Sequence, residues 1–190
     1  LRAMTLIRSL TALGLSLVLI APLTSRAADI GGPFSLIDHY GNRVTHESYD
    51  SKYLLIFFGY TFCPDICPTE LLVMGQALDK LGKDAERIQA LFITIDPERD
   101  TTEALSRYLP NFHPDLVGLT GTPEEVAKAA KSYRVYFRKG EIATGETTYL
   151  MAHSSIVYFM NPDSEYLTHF VLDQNAETLA ERIKAILGSD

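Results

Sequence analysis

Residues Tyr53-Leu54-Leu55-Ile56-Phe57-Phe58-Gly59 run directly into Tyr60-Thr61-Phe62-Cys63-Pro64-Asp65-Ile66-Cys67-Pro68-Thr69-Glu70. The first run is of strand length and shows no polar alternation, the pattern of a strand buried on both faces. Beyond the loop, Leu71, Leu72, Met74, Leu78 and Leu81 recur at near-helical spacing, and the pattern stops at Gly82. The sequence therefore reads as strand, loop, helix, and the loop holds the chain's only 2 cysteines. A residue before proline is pushed out of the α region, whereas proline is tolerated at the first helical position, so Pro68 opens the helix and Cys67 is its expected N-cap. Unpaired backbone N–H groups and the positive end of the helix dipole at that place favour a thiolate, the form that binds metals and attacks disulfides.

Working outward, Phe34 to Asp38 and Arg43 to Thr45 flank His39-Tyr40-Gly41-Asn42 as an opening hairpin. Ala90 to Ile95 is a second buried strand, Thr101 to Leu109 a short helix with Asp100 as N-cap and Glu103 as capping-box partner, and Leu116 to Thr120 a third strand. Pro123 to Tyr133 is a helix opened by Thr122. Val135 to Phe137 begins a strand and a projecting loop through Thr148. Ser155 to Met160 and Tyr166 to Val171 form an antiparallel pair around Asn161-Pro162-Asp163-Ser164, and Ala176 to Leu187 is a closing amphipathic helix. The expected fold class is α/β: a thioredoxin-like sandwich with an added N-terminal hairpin and an inserted loop before the last hairpin. Other open α/β folds fit the first half equally well.

Residues Leu10 to Leu23 are almost wholly apolar, and Ser25-Arg26-Ala27 places small residues where a signal peptidase reads. Residues 1–27 are thus an expected signal peptide, or alternatively an uncleaved N-terminal membrane anchor, and residues 28–190 one domain. That makes the protein exported, to a bacterial periplasm or the outer face of an inner membrane. The full chain carries 17 Lys and Arg against 24 Asp and Glu; removing residues 1–27 takes three arginines and no acid, which leaves a net charge of −10. An acidic domain without a basic cluster is a poor nucleic-acid binder.

Two cysteines in an exported protein can form a structural disulfide. A bridge closing so short a loop would constrain the unfolded chain little, which favours retention for chemistry. If the strands Tyr53–Gly59 and Ala90–Ile95 are parallel, they end at the same sheet edge, where ligands of such sheets gather. The cysteine loop then faces Asp96-Pro97-Glu98-Arg99-Asp100-Thr101, a cluster that loop bracing and capping would also explain. Thioredoxin-like oxidoreductases place a cis-proline before the strand that starts the final hairpin. Here Met151-Ala152-His153-Ser154 stands there instead, so His153 offers an imidazole to the two sulfurs. Two thiolates and one imidazole suit Cu(I), whereas zinc takes four ligands in structural sites. Met151 is read as packing, and His39, His46, His113 and His169 as ordinary surface or core residues.

Three motifs, Gly59 to Pro68, Thr94 to Thr101 and His153-Ser154 before an apolar strand, together resemble the Sco (SenC) family of copper-binding cytochrome c oxidase assembly proteins. The resemblance implies a thioredoxin-like fold with Cys63, Cys67 and His153 as metal ligands for copper, as Cu(I) and also as Cu(II). It implies a role in loading the dinuclear copper centre of oxidase subunit II, by copper delivery or by reduction of that subunit's cysteines. The copper-centre domain of subunit II is then the partner, with another copper chaperone or a thiol reductase as further partners. Two departures bear on this. Ala152 stands where the family usually has an acid, which affects how the imidazole is oriented, and Ser164 where it usually has glycine.

Three functions follow from the residues: a copper metallochaperone, a thiol-disulfide oxidoreductase cycling Cys63 and Cys67 as catalytic residues, and a thiol peroxidase. A histidine in the place of the proline favours the first.

Overall fold

The computed structural model describes residues 30–141, 148–171 and 175–188. The expected signal segment and its cleavage point lie outside these residues, as does most of the loop expected before Thr148. Among the described residues no helix is long and apolar enough to cross a membrane.

The strand β3 (Tyr53–Gly59) is buried along its whole length. It lies between β4 (Ile88–Thr94), parallel to it, and β8 (Ile156–Met160), antiparallel to it. This central place explains its unbroken apolar run, because each face of the strand meets other protein. β1 (Ser35–Asp38) and β2 (Arg43–Thr45) form the opening hairpin, and β5 (Leu116–Thr120) and β9 (Tyr166–Val171) complete a seven-stranded sheet in the order β2-β1-β5-β4-β3-β8-β9. The hairpin is thus added at the β5 edge, through antiparallel pairing of Ile37 with Thr120.

Among the described residues four α-helices pack with the sheet: α1 (Ile66–Leu81), α2 (Thr102–Tyr108), α3 (Pro123–Ser132) and α4 (Ala176–Leu187). α1 packs on α4, α2 on β5 and α3 on β1. Thr122 and Glu125 close a full capping box at α3, and the Asn175 side chain caps α4. α1 ends where Gly82 takes a φ of 58°, a conformation that costs glycine little.

Two helix starts differ from the sequence reading. The N-cap of α1 is Asp65, which places Cys67 and Pro68 inside the first turn. The missing N–H of Pro68 costs nothing there, because the first-turn N–H groups have no intrahelical acceptor. The N-cap of α2 is Thr101, whose hydroxyl accepts from the Ala104 N–H, and Asp100 is released for another task.

His153 is not part of the strand that follows it. It ends β7 (Met151–His153), which pairs antiparallel with β6 (Phe137–Lys139) in a separate two-stranded ribbon.

Candidate metal centre

β3 delivers Gly59 to the edge of the sheet beneath α1, and the chain there passes very close to a sulfur. A Cβ at Gly59 would come within 3.0 Å of the Cys67 Sγ and 2.8 Å of the Phe92 ring. Glycine at this position keeps that room for the buried thiol. Cys63, half-buried, follows in the loop, with its N–H donating to the Tyr60 carbonyl. Cys67 is fully buried, and its N–H donates to the Cys63 Sγ at 3.4 Å. A first-turn amide of α1 therefore points at the more exposed sulfur, as anions at helix starts are held.

The Cys67 thiol behaves differently from the sequence expectation. Burial pushes its pKa up, and the hydrogen bond from the Tyr60 backbone lowers it by less than that. The helix start does not outweigh desolvation here, so in the metal-free protein Cys67 is a thiol.

His153 comes from the ribbon. Its Nε2 stands 3.5 Å from the Cys67 Sγ, and its Nδ1 is 2.9 Å from the Ser154 carbonyl oxygen. A carbonyl only accepts, so Nδ1 carries the proton and Nε2 turns its lone pair to the sulfur. Burial lowers the pKa of the imidazole, which keeps it neutral and available as a ligand. The rings of Tyr60 and Phe57 stand edge-on to it at 5.9 and 6.3 Å. Ala152 is exposed, on the opposite face of β7. The Ser154 carbonyl thus does the orienting work that the missing acid suggested was lost.

The ligand atoms of Cys63, Cys67 and His153 lie within 4.8 Å of one another. Atoms so close can converge on one ion at metal–ligand distances of about 2.0–2.3 Å by side-chain rotation alone. The donor set of two sulfurs and one imidazole is soft, and it fits Cu(I) better than a hard or four-coordinate ion.

Behind these ligands is a polar network that the sequence reading placed only in part. Asp100 is fully buried and accepts from the Thr61 N–H at 3.0 Å, the Thr61 hydroxyl at 2.5 Å and the Thr94 hydroxyl at 2.6 Å. It ties the cysteine loop to the end of β4. Asp96 forms an ion pair with Arg99 and accepts from the Tyr149 hydroxyl at 2.8 Å. The order of Asp96 and Asp100 after a buried strand was the available signal; the capping role given to Asp100 hid its use.

The remaining histidines stay apart from the group. His39 is buried, a core placement within the expected surface-or-core range: its Nδ1 accepts from the Gly118 N–H at 2.8 Å and its backbone bonds β5. His113 sits beside Asp79 and Asp115, and His169 contacts the Tyr166 hydroxyl. Met151 lines a cavity of about 150 Å³ with Ile95, Pro97, Val126 and Phe137, in keeping with a packing role.

Fold and ligand group together define a thioredoxin-like protein with a two-cysteine, one-histidine group at the end of its central strands. Comparison with known proteins gives the family. The chain matches SCO1/SenC over residues 23–188 and belongs to that family. It is 45% identical over 156 residues to the human mitochondrial protein SCO1 homolog, covering 81% of this chain and 52% of that protein. The chain spans about half the length of that relative and of its Arabidopsis thaliana counterpart. Among solved structures it resembles Arabidopsis thaliana ScoI with copper bound, with a TM-score of 0.79 and 39% identity over 85% of this chain and 99% of that one. Bradyrhizobium japonicum ScoI with copper bound gives a TM-score of 0.76 and 45% identity over 82% of this chain and 98% of that one.

Proposed function

We propose that this protein is a copper metallochaperone that binds copper through Cys63, Cys67 and His153 and serves assembly of the dinuclear copper centre of cytochrome c oxidase subunit II. The observation that carries the reading is the convergence of two sulfurs and an imidazole nitrogen within 4.8 Å. Relatives of high structural similarity hold copper, which supports the choice of metal. Half-exposed Cys63 gives a partner's ligands access to the ion, while buried Cys67 and oriented His153 retain it. That combination suits a carrier, which must hold its cargo and also release it by ligand exchange. The apolar run ahead of Ala28 supports export to the compartment where subunit II presents its copper domain.

A second reading, reduction of the subunit's cysteines, is favoured by one observation: both thiols are free and adjacent, with the Cys67 N–H on the Cys63 sulfur. Here the Cys63 thiolate attacks the target disulfide, the Cys67 thiolate resolves the mixed disulfide after losing its proton, and the target leaves as a dithiol while Cys63 and Cys67 become a disulfide. Anaerobic copper titration of the reduced domain, with X-ray absorption to count sulfur and nitrogen ligands, tests binding. Deletion of the gene separates the roles: oxidase activity restored by added copper supports delivery, restoration by a small reductant alone supports reduction, and an oxidase unaffected at low copper overturns both.

A further inference from the structure

We propose that Arg99 is a positioning residue that clasps the His153 ribbon to the cysteine loop. The inference rests on the copper reading above and names the residue that sets the third ligand's place. Among the described residues the β6–β7 ribbon has no ladder to the seven-stranded sheet; apart from its short covalent run through Ser154 and Ser155 into β8, side-chain contacts hold it in position. A lone pair of strands is only marginally stable in water.

Arg99 supplies several of those contacts at once. Its Nη1 donates to the Thr148 hydroxyl and the Tyr149 carbonyl, each at 3.0 Å, on the segment that leads into β7. Its guanidinium lies 3.7 Å from the Tyr149 ring centroid on that side, and 4.6 Å from Phe62 and 5.8 Å from Tyr60 on the cysteine-loop side. Asp96 neutralises it and also accepts from Tyr149. Tyr60 in turn meets the His153 ring edge-on. One planar cation therefore touches the loop that bears Cys63 and the segment that leads to His153.

One polar tie is independent of Arg99, the Tyr149 hydroxyl donating to buried Asp96 at 2.8 Å; the remaining ones are weaker. Lys139 in β6 pairs with Glu98, but the two side chains are 50% and 60% exposed, and such pairs contribute little. The Tyr60 hydroxyl is also hydrogen-bonded to the Met151 backbone, a single bond. Arg99 is 15% exposed, and its planar fork cannot be reproduced by a lysine.

The test is a double-mutant cycle between Arg99→Met and His153→Ala, read by Cu(I) competition with a chelator and by X-ray absorption of the copper-loaded proteins. Arg99→Met is expected to keep both sulfur ligands, lose or scatter the nitrogen ligand, and bind about 10- to 100-fold more weakly. Added to His153→Ala it is expected to weaken binding little further, because the ligand it positions is already gone. Tyr149→Leu, which removes the ring stacked on Arg99, is expected to act in the same direction and covers the case in which Arg99→Met does not fold. Unchanged nitrogen ligation in the folded single variants, or additive losses in the cycle, overturns the clasp. A wild-type protein without a nitrogen ligand overturns the copper reading instead, a result distinguishable from the first.

Discussion

The Nε2 atom of His153 lies 3.5 Å from the Sγ atom of Cys67, across 86 residues of sequence and between a helix and a separate two-stranded ribbon. One partner is held in the first turn of α1 and the other on the ribbon. The contact joins a protonated thiol to a neutral imidazole in the metal-free protein.

Copper affinity should therefore depend on pH in one direction. Binding requires Cys67 to lose a proton that burial holds on, so apparent affinity rises with pH, by about tenfold per pH unit for each proton released. Chelator competition at several pH values measures the slope. His153→Ala should keep the fold and bind copper more weakly at every pH through sulfur alone. Equal affinity in wild type and variant removes His153 from the site.

Oxidation should distinguish free from loaded protein. The two sulfurs lie within 4.8 Å, and a disulfide needs about 2.05 Å, a closure the loop residue Cys63 can make by moving toward fixed Cys67. Mass spectrometry after mild oxidation should show loss of two hydrogens from the metal-free protein and far less from the copper-loaded one. Identical oxidation of both would place the metal elsewhere.

Asp100 should matter beyond its distance from the ligands. Asp100→Ala leaves the Thr61 N–H and the Thr61 and Thr94 hydroxyls without their acceptor, at a cost of about 2–4 kcal/mol. Asp100→Asn keeps the shape and should cost roughly half of that. Urea unfolding measures both, and exchange of the Thr61 amide hydrogen should quicken in the alanine variant. Variants as stable as wild type would show that the network is incidental.

Glu70 carries a pH dependence of the opposite sign to that of copper binding. It is 4% exposed, and burial pushes its pKa up to about 7 from an ordinary value of 4.5. Between these values the folded protein binds more protons than the unfolded chain, so stability falls as pH rises through the window and levels off above about 7. The whole effect is of the order of 3 kcal/mol. Glu70→Gln should remove this slope and raise stability at pH 8 relative to wild type. Parallel stability curves for the two proteins from pH 5 to 8 would contradict it.

The sequence was most legible where burial is one-dimensional. β3, β5 and α4 begin and end where their apolar patterns do, because a central strand or an amphipathic helix writes its surroundings into its own residues. The cysteine loop was legible for the same reason, set between two such elements. Legibility failed where a partner distant in sequence decides. Asp100 looks like a cap until Thr61 is beside it, and β7 is a strand only because Phe137 pairs with His153. Ser164 shows the converse: its φ of 61° is the conformation for which glycine is the usual choice, and the sequence shows only the departure from it.

The ribbon also bears on the order in which a cargo ion can be surrendered. Since among the described residues no backbone ladder links β6 and β7 to the main sheet, swinging the imidazole aside would break side-chain contacts and leave the central strands and both sulfurs where they are. Under the proposed carrier role, handover would proceed by stages, with an incoming donor taking the place vacated by His153 before Cys63 or Cys67 lets go. On that reading the ion would never be free in water, and the thiols would never be bare.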